Sequence, residues 1–235
     1  MIRLFSAALV GWAMIAASAE AEKPPDTWDG LHLVSSMNFD AAYLAPGADF
    51  RSYTKVMLDP TEAAFRKDWQ RRHNEQVVDL DRRITDEEAR NILEAAQTGL
   101  HKIFLDAYAA AGVRVVTEPG PDVLRVRTAI INLDVTAPDQ KTMRPGTTAS
   151  AEAGAATLVI EVRDSMSGAV LGRGVDGRRI GDVGVMVRRT SVTNKADFDL
   201  AFRSWARASV DALQRLRALP VINADGKPVS APGQG

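Results

Sequence analysis

The chain has 235 residues, 46% hydrophobic and 25% charged, which is ordinary globular composition and enough for one domain with a real core. Its formal net charge of −1 provides no global field toward nucleic acid or an anionic membrane. The absence of cysteine removes disulfides, thiol nucleophiles, thiolate metal sites and acylated anchors together, so an exported form must hold by packing alone.

Residues 1–21 read as an export signal. Met1-Ile-Arg3 is a short basic start, and Leu4–Ala17 is an apolar run containing Trp12 and Met14. Ala17 with Ala19, and Ala19 with Ala21, supply two Ala-x-Ala cleavage sites. The apolar run is shorter than the roughly 20 residues of a membrane span, so removal is expected rather than anchoring. The expected location is the periplasm. A polar lead-in with Pro24-Pro25 covers residues 22–27, and a single α+β domain is expected over residues 28–219.

Within that domain, Asp40–Ala45 predicts a short strand closed by the turn dipeptide Pro46-Gly47. Arg51–Leu58 predicts another, ended by Asp59-Pro60 because proline cannot donate to a ladder. Thr61–Trp69 has helical propensity, but its position after Asp-Pro permits a return strand, and the strand is favoured. Gln70–Arg83 is charged and reads as surface. Thr85 and Glu88 then form a capping box, with Asp86 and Glu87 at the positive end of the helix dipole. Ala89, Ile92, Leu93, Ala96, Leu100, Ile103, Phe104, Ala107 and Ala111 make one apolar stripe, and Gly112 suits the left-handed cap. Val113–Thr117 predicts a short strand before Pro119-Gly120-Pro121 turns the chain.

Asp122 to Asp176 predicts a three-strand antiparallel meander. Ala156, Leu158, Ile160 and Val162 alternate with Thr157, Glu161 and Arg163, the period of a strand with one buried side. In the first strand Leu124, Val126 and Ile130 give way to Ile131 and Leu133, so a bulge is expected near Ile130. Ala137–Ser150 is a long connection, and Asp164–Gly168 a defined turn in which Asp164 and Ser165 bond local amides. After Val175 the Gly- and Arg-rich stretch to Lys195 reads as a second connection of low order. Asn194–Leu219 predicts a helix with Phe198, Phe202, Trp205, Leu213 and Leu216 on one face, with Trp205 as its anchor in the core. Pro220 stops it, and residues 220–235 read as a disordered tail. The expected fold class is α+β: an antiparallel β-sheet with two long amphipathic helices packed on one face.

Few patterns point to chemistry. Gly172-x-Gly174-x-x-Gly177 follows a strand and matches the dinucleotide fingerprint in its letters, but the sequel RRIGDVGVMV has no helical stripe to hold a pyrophosphate. A flexible edge strand is the expected reading. His32, His73 and His101 are far apart in sequence, with His101 expected on the solvated side of its helix. Asp79/Asp81 and Glu87/Glu88 sit in polar or capping contexts. No G-x-S-x-G elbow, H-E-x-x-H helix or P-loop is present, so no catalytic, cofactor-binding or metal-ligating residue is assigned. Arg178, Arg179, Arg188 and Arg189 are the candidate contacts to an acidic partner or to lipid phosphates, set against a solubilising loop; without interleaved aromatics they do not suggest nucleic acid.

Tyr43-Leu-Ala-Pro-Gly-Ala-Asp-Phe-Arg-Ser-Tyr53-Thr-Lys-Val-Met-Leu58-Asp-Pro60, with Ala64-Phe65-Arg-Lys-Asp-Trp69 after it, resembles the bacterial family called domain of unknown function 3313. Pro119-Gly-Pro-Asp-Val-Leu-Arg-Val-Arg127 and Phe198-Asp-Leu-Ala-Phe-Arg-Ser-Trp205-Ala are similar to its other signatures, so the resemblance spans about Trp28 to Leu219. It implies an envelope-associated protein. Many members look like lipoproteins with a cysteine ending the signal; this chain has none, and a soluble periplasmic form is expected instead. The resemblance carries no catalytic residue. Three functions stay open: a non-enzymatic envelope protein that binds a protein partner or assists assembly, a periplasmic hydrolase or metal-dependent enzyme, and a small-molecule or lipid carrier. Peripheral membrane contact fits the first. The third requires a large apolar pocket.

Overall fold

Alternation of small and large apolar residues decides the centre of the fold. In the computed structural model, which describes residues 23–36, 38–78, 80, 83–136, 148–150, 152–181, 187–189, 191–219 and 221–223, the middle meander run is strand β9, Gly154–Asp164. Its partners on either side are β7, Val123–Val135, and β10, Val170–Ile180, both antiparallel to it as expected. Ala156, Leu158 and Ile160 join one apolar cluster with Leu100 and Phe104 of helix α2 (Asp86–Ala110) and Phe202, Trp205 and Leu213 of helix α3 (Ser191–Ala218). The fold is α+β.

Beyond the meander lie β1 (Thr27–Trp28), β2 (Leu31–Val34) and β3 (Ala41–Leu44) on one flank. On the other are β4 (Lys55–Leu58), β5 (Glu62–Phe65) and β6 (Arg114–Val115). These make a nine-stranded sheet in the order β1-β2-β3-β10-β9-β7-β4-β6, with β5 also beside β7. The sheet is mixed, which corrects the wholly antiparallel expectation: β4 and β5 run parallel to β7, and β6 parallel to β4. The physical reason is the break at Asp59-Pro60. β4 is registered with Val123 to Val126 and β5 with Ala129 to Leu133, so the chain continues in one direction along β7 instead of folding back. Helix α1 (Trp69–Glu75) and α2 then supply the long crossover that parallel strands need.

Local rules explain the ends of elements. Thr85 Oγ accepts from Glu88 N at 3.2 Å while Glu88 Oε2 accepts from Thr85 N at 2.9 Å, completing the predicted capping box. Thr85→Ala is therefore expected to cost about 0.5–2 kcal/mol, read as a lower urea midpoint at unchanged slope. Gly112 takes φ 73° just past the helix. The bulge expected near Ile130 lies slightly later, between Ile131 and Asp134, with Asn132 at φ 52°. Gly154 sits opposite it with φ 156°, where a Cβ would strike the Asp134 carbonyl oxygen. In the Asp164–Gly168 turn Asp164 accepts from the amides of Met166 and Ser167. Ser165 instead reaches Gly120, whose amide donates to its Oγ at 3.1 Å, so that hydroxyl ties two turns together.

Four further expectations are corrected. The stretch after Val175 is ordered strand as far as Ile180, which pairs with Gly154, because β9 offers a full ladder there. β10 is no edge, since it lies between β3 and β9. Helix α3 begins at Ser191, three residues before Asn194. Ile222, past the expected boundary at Leu219, is buried in the main cluster and exchanges backbone hydrogen bonds with Gly47 and Ala48. A second, two-stranded sheet joins β8 (Thr148–Ser150) to β11 (Val187–Arg189). The export signal, most of the long connection (137–147), residues 182–186 and the tail from 224 lie outside the described residues.

Candidate apolar cavity and charged sheet face

Two of the three glycines of the fingerprint, Gly172 and Gly174, set the floor of a cavity. Gly172 pairs with Leu44 and Val162, and Gly174 with Ala42 and Ile160. A Cβ on Gly172 would meet Leu44 Cδ2 and the Tyr43 carbonyl oxygen at 3.0 Å, and one on Gly174 would meet Ile160 at 3.0 Å and Phe39 at 3.2 Å. Their role is close packing, and β10 continues as strand through Gly177, so no helix follows to receive a phosphate. Above this floor the last turns of α3 stand off the sheet and leave a cavity of about 450 Å³, a volume typical of small-molecule sites. Leu44, Phe50, Ile160, Leu213, Leu216 and Ile222 give it apolar walls.

Its polar groups are few. Ser36 Oγ accepts from the amides of Asn38 and Phe39, which shapes the segment after β2. Asn38 then pins that segment to α3: its Nδ2 donates to the Ala208 carbonyl at 3.0 Å, and its Oδ1 accepts from Arg215 Nη1 at 3.1 Å. At the inner wall the Tyr108 hydroxyl and Ser209 Oγ are hydrogen-bonded at 2.6 Å. Burial pushes the Tyr108 phenol up to about 12, so it is neutral at physiological pH. Behind it, burial lowers the Arg217 guanidinium from its ordinary value, and its Nε and Nη2 have no acceptor among the described residues.

The opposite face of the sheet carries a charge lattice. Glu161 is 2% exposed, and its carboxylate meets Arg163 Nε at 2.6 Å, Arg173 Nε at 2.8 Å and Arg127 Nη1 at 3.6 Å. Burial alone would raise its pKa, but the hydrogen bonds from Arg163 and Arg173 outweigh it and hold the carboxyl below its usual range. Arg173 also binds Asp29 at 2.6 Å and lies 4.6 Å over the Trp28 ring. Asp59 adds Arg125 at 2.9 Å and Arg127 at 3.5 Å.

The four arginines singled out from sequence fall on two sheets, Arg178 and Arg179 on β10 and Arg188 and Arg189 on β11. Arg178 is turned to α3, bonding Asp176 and Ser204 at 2.7 Å each and lying 5.8 Å from the Trp205 ring centre. Arg179 is exposed, 3.3 Å from Glu152. Arg188 and Arg189 pair through their backbones with Ala149 and Thr148 in the small second sheet. His32 is on β2, and His73 is on α1, where burial lowers its pKa beside Trp69. His101 is on α2 and half-buried, with Nδ1 buried and without a hydrogen-bond partner among the described residues, which corrects the solvated placement. Among the described residues no three His, Asp or Glu side chains are grouped to hold a metal. Asp79 and Asp81 lie outside the described residues.

A family model described as "Protein of unknown function (DUF3313)" matches residues 28–209. No curated protein matches the chain. Among solved structures, the PelC dodecamer from Paraburkholderia phytofirmans is similar at TM-score 0.36 and 9% identity, over 71% of this chain and 96% of that one. A Xanthomonas campestris protein of family DUF330 is similar at TM-score 0.39 and 10% identity, over 73% of this chain and 87% of that one. A neuraminyllactose-binding hemagglutinin homolog from Helicobacter pylori is similar at TM-score 0.30 and 12% identity, over 73% of this chain and 87% of that one.

Proposed function

We propose that this chain, which belongs to the DUF3313 family, is a non-enzymatic binding protein of the cell envelope that holds a small apolar ligand between α3 and the β3–β10–β9 sheet. The observation that carries this reading is the cavity of about 450 Å³, walled by apolar side chains with a few convergent polar groups. Of the three functions the sequence leaves open, the carrier is the one that demands such a space. In this reading both long helices pack on one face of the sheet, and the cavity is the gap their packing leaves near the end of α3. The basic start, apolar run and Ala-x-Ala sites of residues 1–21 support export to the periplasm. A carrier needs a donor or acceptor of its ligand, so an envelope partner is part of the proposal.

Binding of the uncharged fluorophore N-phenylnaphthylamine tests it. The fluorophore is expected to brighten on the wild-type protein, and Ala212→Phe, which places a ring in the cavity wall, is expected to weaken binding at least tenfold while melting within about 2 °C of wild type. No enhancement on the wild type, or binding indifferent to the added ring, would overturn the reading.

A further inference from the structure

We infer that the cavity takes a single-chain amphiphile with an anionic head, a carboxylate or phosphate monoester, with Arg215 as its head-group contact. This rests on the apolar-ligand reading above and adds the chemistry of the ligand's polar end. Among the described residues two arginines line the cavity and no Asp or Glu does, but the side chain of Arg173 lies on the opposite face of the sheet, which leaves Arg215 as the charged side chain at the cavity. Arg173 is already neutralised, held by Glu161 at 2.8 Å and Asp29 at 2.6 Å. Arg215 is exposed and donates to the neutral Asn38 amide oxygen at 3.1 Å; among the described residues no carboxylate pairs with it. Among the described residues the cavity therefore has one cation at its border, Arg215, whose remaining guanidinium donors face no anion.

That arrangement sorts ligands by their head. An alkyl chain alone fills the apolar part between Ile160, Leu213 and Leu216. A head bearing negative charge adds charge-assisted hydrogen bonds to the Arg215 fork, whose planar donors suit both carboxylate and phosphate. A neutral head gains much less. Asn38 positions the guanidinium, because its amide is fixed to the Ala208 carbonyl on the same helix. A cation in the last turn of α3 also complements the helix carbonyls, a role that involves no ligand and makes no distinction between heads.

Displacement of N-phenylnaphthylamine by laurate, dodecyl phosphate and dodecanol tests this with the full-length protein and with Arg215→Gln and Arg215→Lys. Both anions are expected to bind the wild type about tenfold more tightly than dodecanol. Arg215→Gln is expected to remove that advantage and leave dodecanol unchanged, and Arg215→Lys to keep part of it. Which of laurate and dodecyl phosphate binds more tightly separates a fatty-acid ligand from a phosphorylated one. Equal binding of anions and alcohol, or an advantage that survives Arg215→Gln, overturns the head-group inference while leaving the cavity reading intact. If the fluorophore binds and no amphiphile displaces it, this inference fails alone. If the fluorophore itself does not bind, both fail.

Discussion

Trp205→Ala is expected to lower the melting temperature by roughly 6–20 °C. The ring is fully buried at the centre of α3's apolar face and stacks on Phe202 with centroids 5.8 Å apart. Removing a buried aromatic of this kind costs about 3–5 kcal/mol, and each kcal/mol shifts the midpoint of a 150–250-residue domain by about 2–4 °C. A second contribution is specific to this site. The indole Nε1 donates to Asp176 Oδ2 at 2.7 Å, and that carboxylate is itself buried on β10, held otherwise by Arg178. Trp205→Phe separates the two effects: it keeps much of the ring packing and removes the donor, and is expected to cost about 1–3 kcal/mol, the range for a buried acceptor losing its partner. Thermal melts by circular dichroism check both variants. A change under about 2 °C for Trp205→Ala would remove Trp205 from the core.

The same residue shows what the sequence makes legible. The 3.6-residue stripe of Phe198, Phe202, Trp205 and Leu213 placed Trp205 in the core, because a helix against a sheet has one way to bury such a face. The hydrogen bond to Asp176 was not legible, since it needs the strand register that puts Asp176 on the helix side of β10. The Asp164–Gly168 turn and the capping box followed from local patterns because their partners are a few residues away, and the meander from the alternation within each strand. Strand direction did not. Whether β5 returns or continues depends on the crossover through α1 and α2, which no window of residues contains. The cavity was hidden more completely, because its walls come from β2–β3, the segment at Asn38, α3 and Ile222. Its one trace in sequence is the alternating Gly172 and Gly174, which read as a flexible edge strand when the physical cause is close approach of Leu44, Ile160 and Phe39.

Glu161→Gln is expected to destabilise the protein by roughly 3 kcal/mol at pH 7, the lower end for removing one partner of a buried ion pair. The lower end applies because Arg163 and Arg127 keep 28% and 32% of their side-chain exposure and are partly solvated without it. Glutamine preserves the shape but leaves three guanidinium groups facing a neutral amide, with Arg173 retaining Asp29 alone. The pH dependence follows from the direction of the shift. The folded carboxyl titrates below its unfolded value of about 4.3, so its contribution is fully present above that pH and is lost as pH falls through the folded value. Wild type and Glu161→Gln should thus differ by a constant amount from pH 7 down to about 4.3, and the difference should shrink on further acidification as Glu161 itself becomes neutral. Urea midpoints across that range provide the check, with the slope confirming that the unfolded state is unchanged. A difference that is the same at every pH would mean that the cost of Glu161→Gln does not come from losing the carboxylate charge.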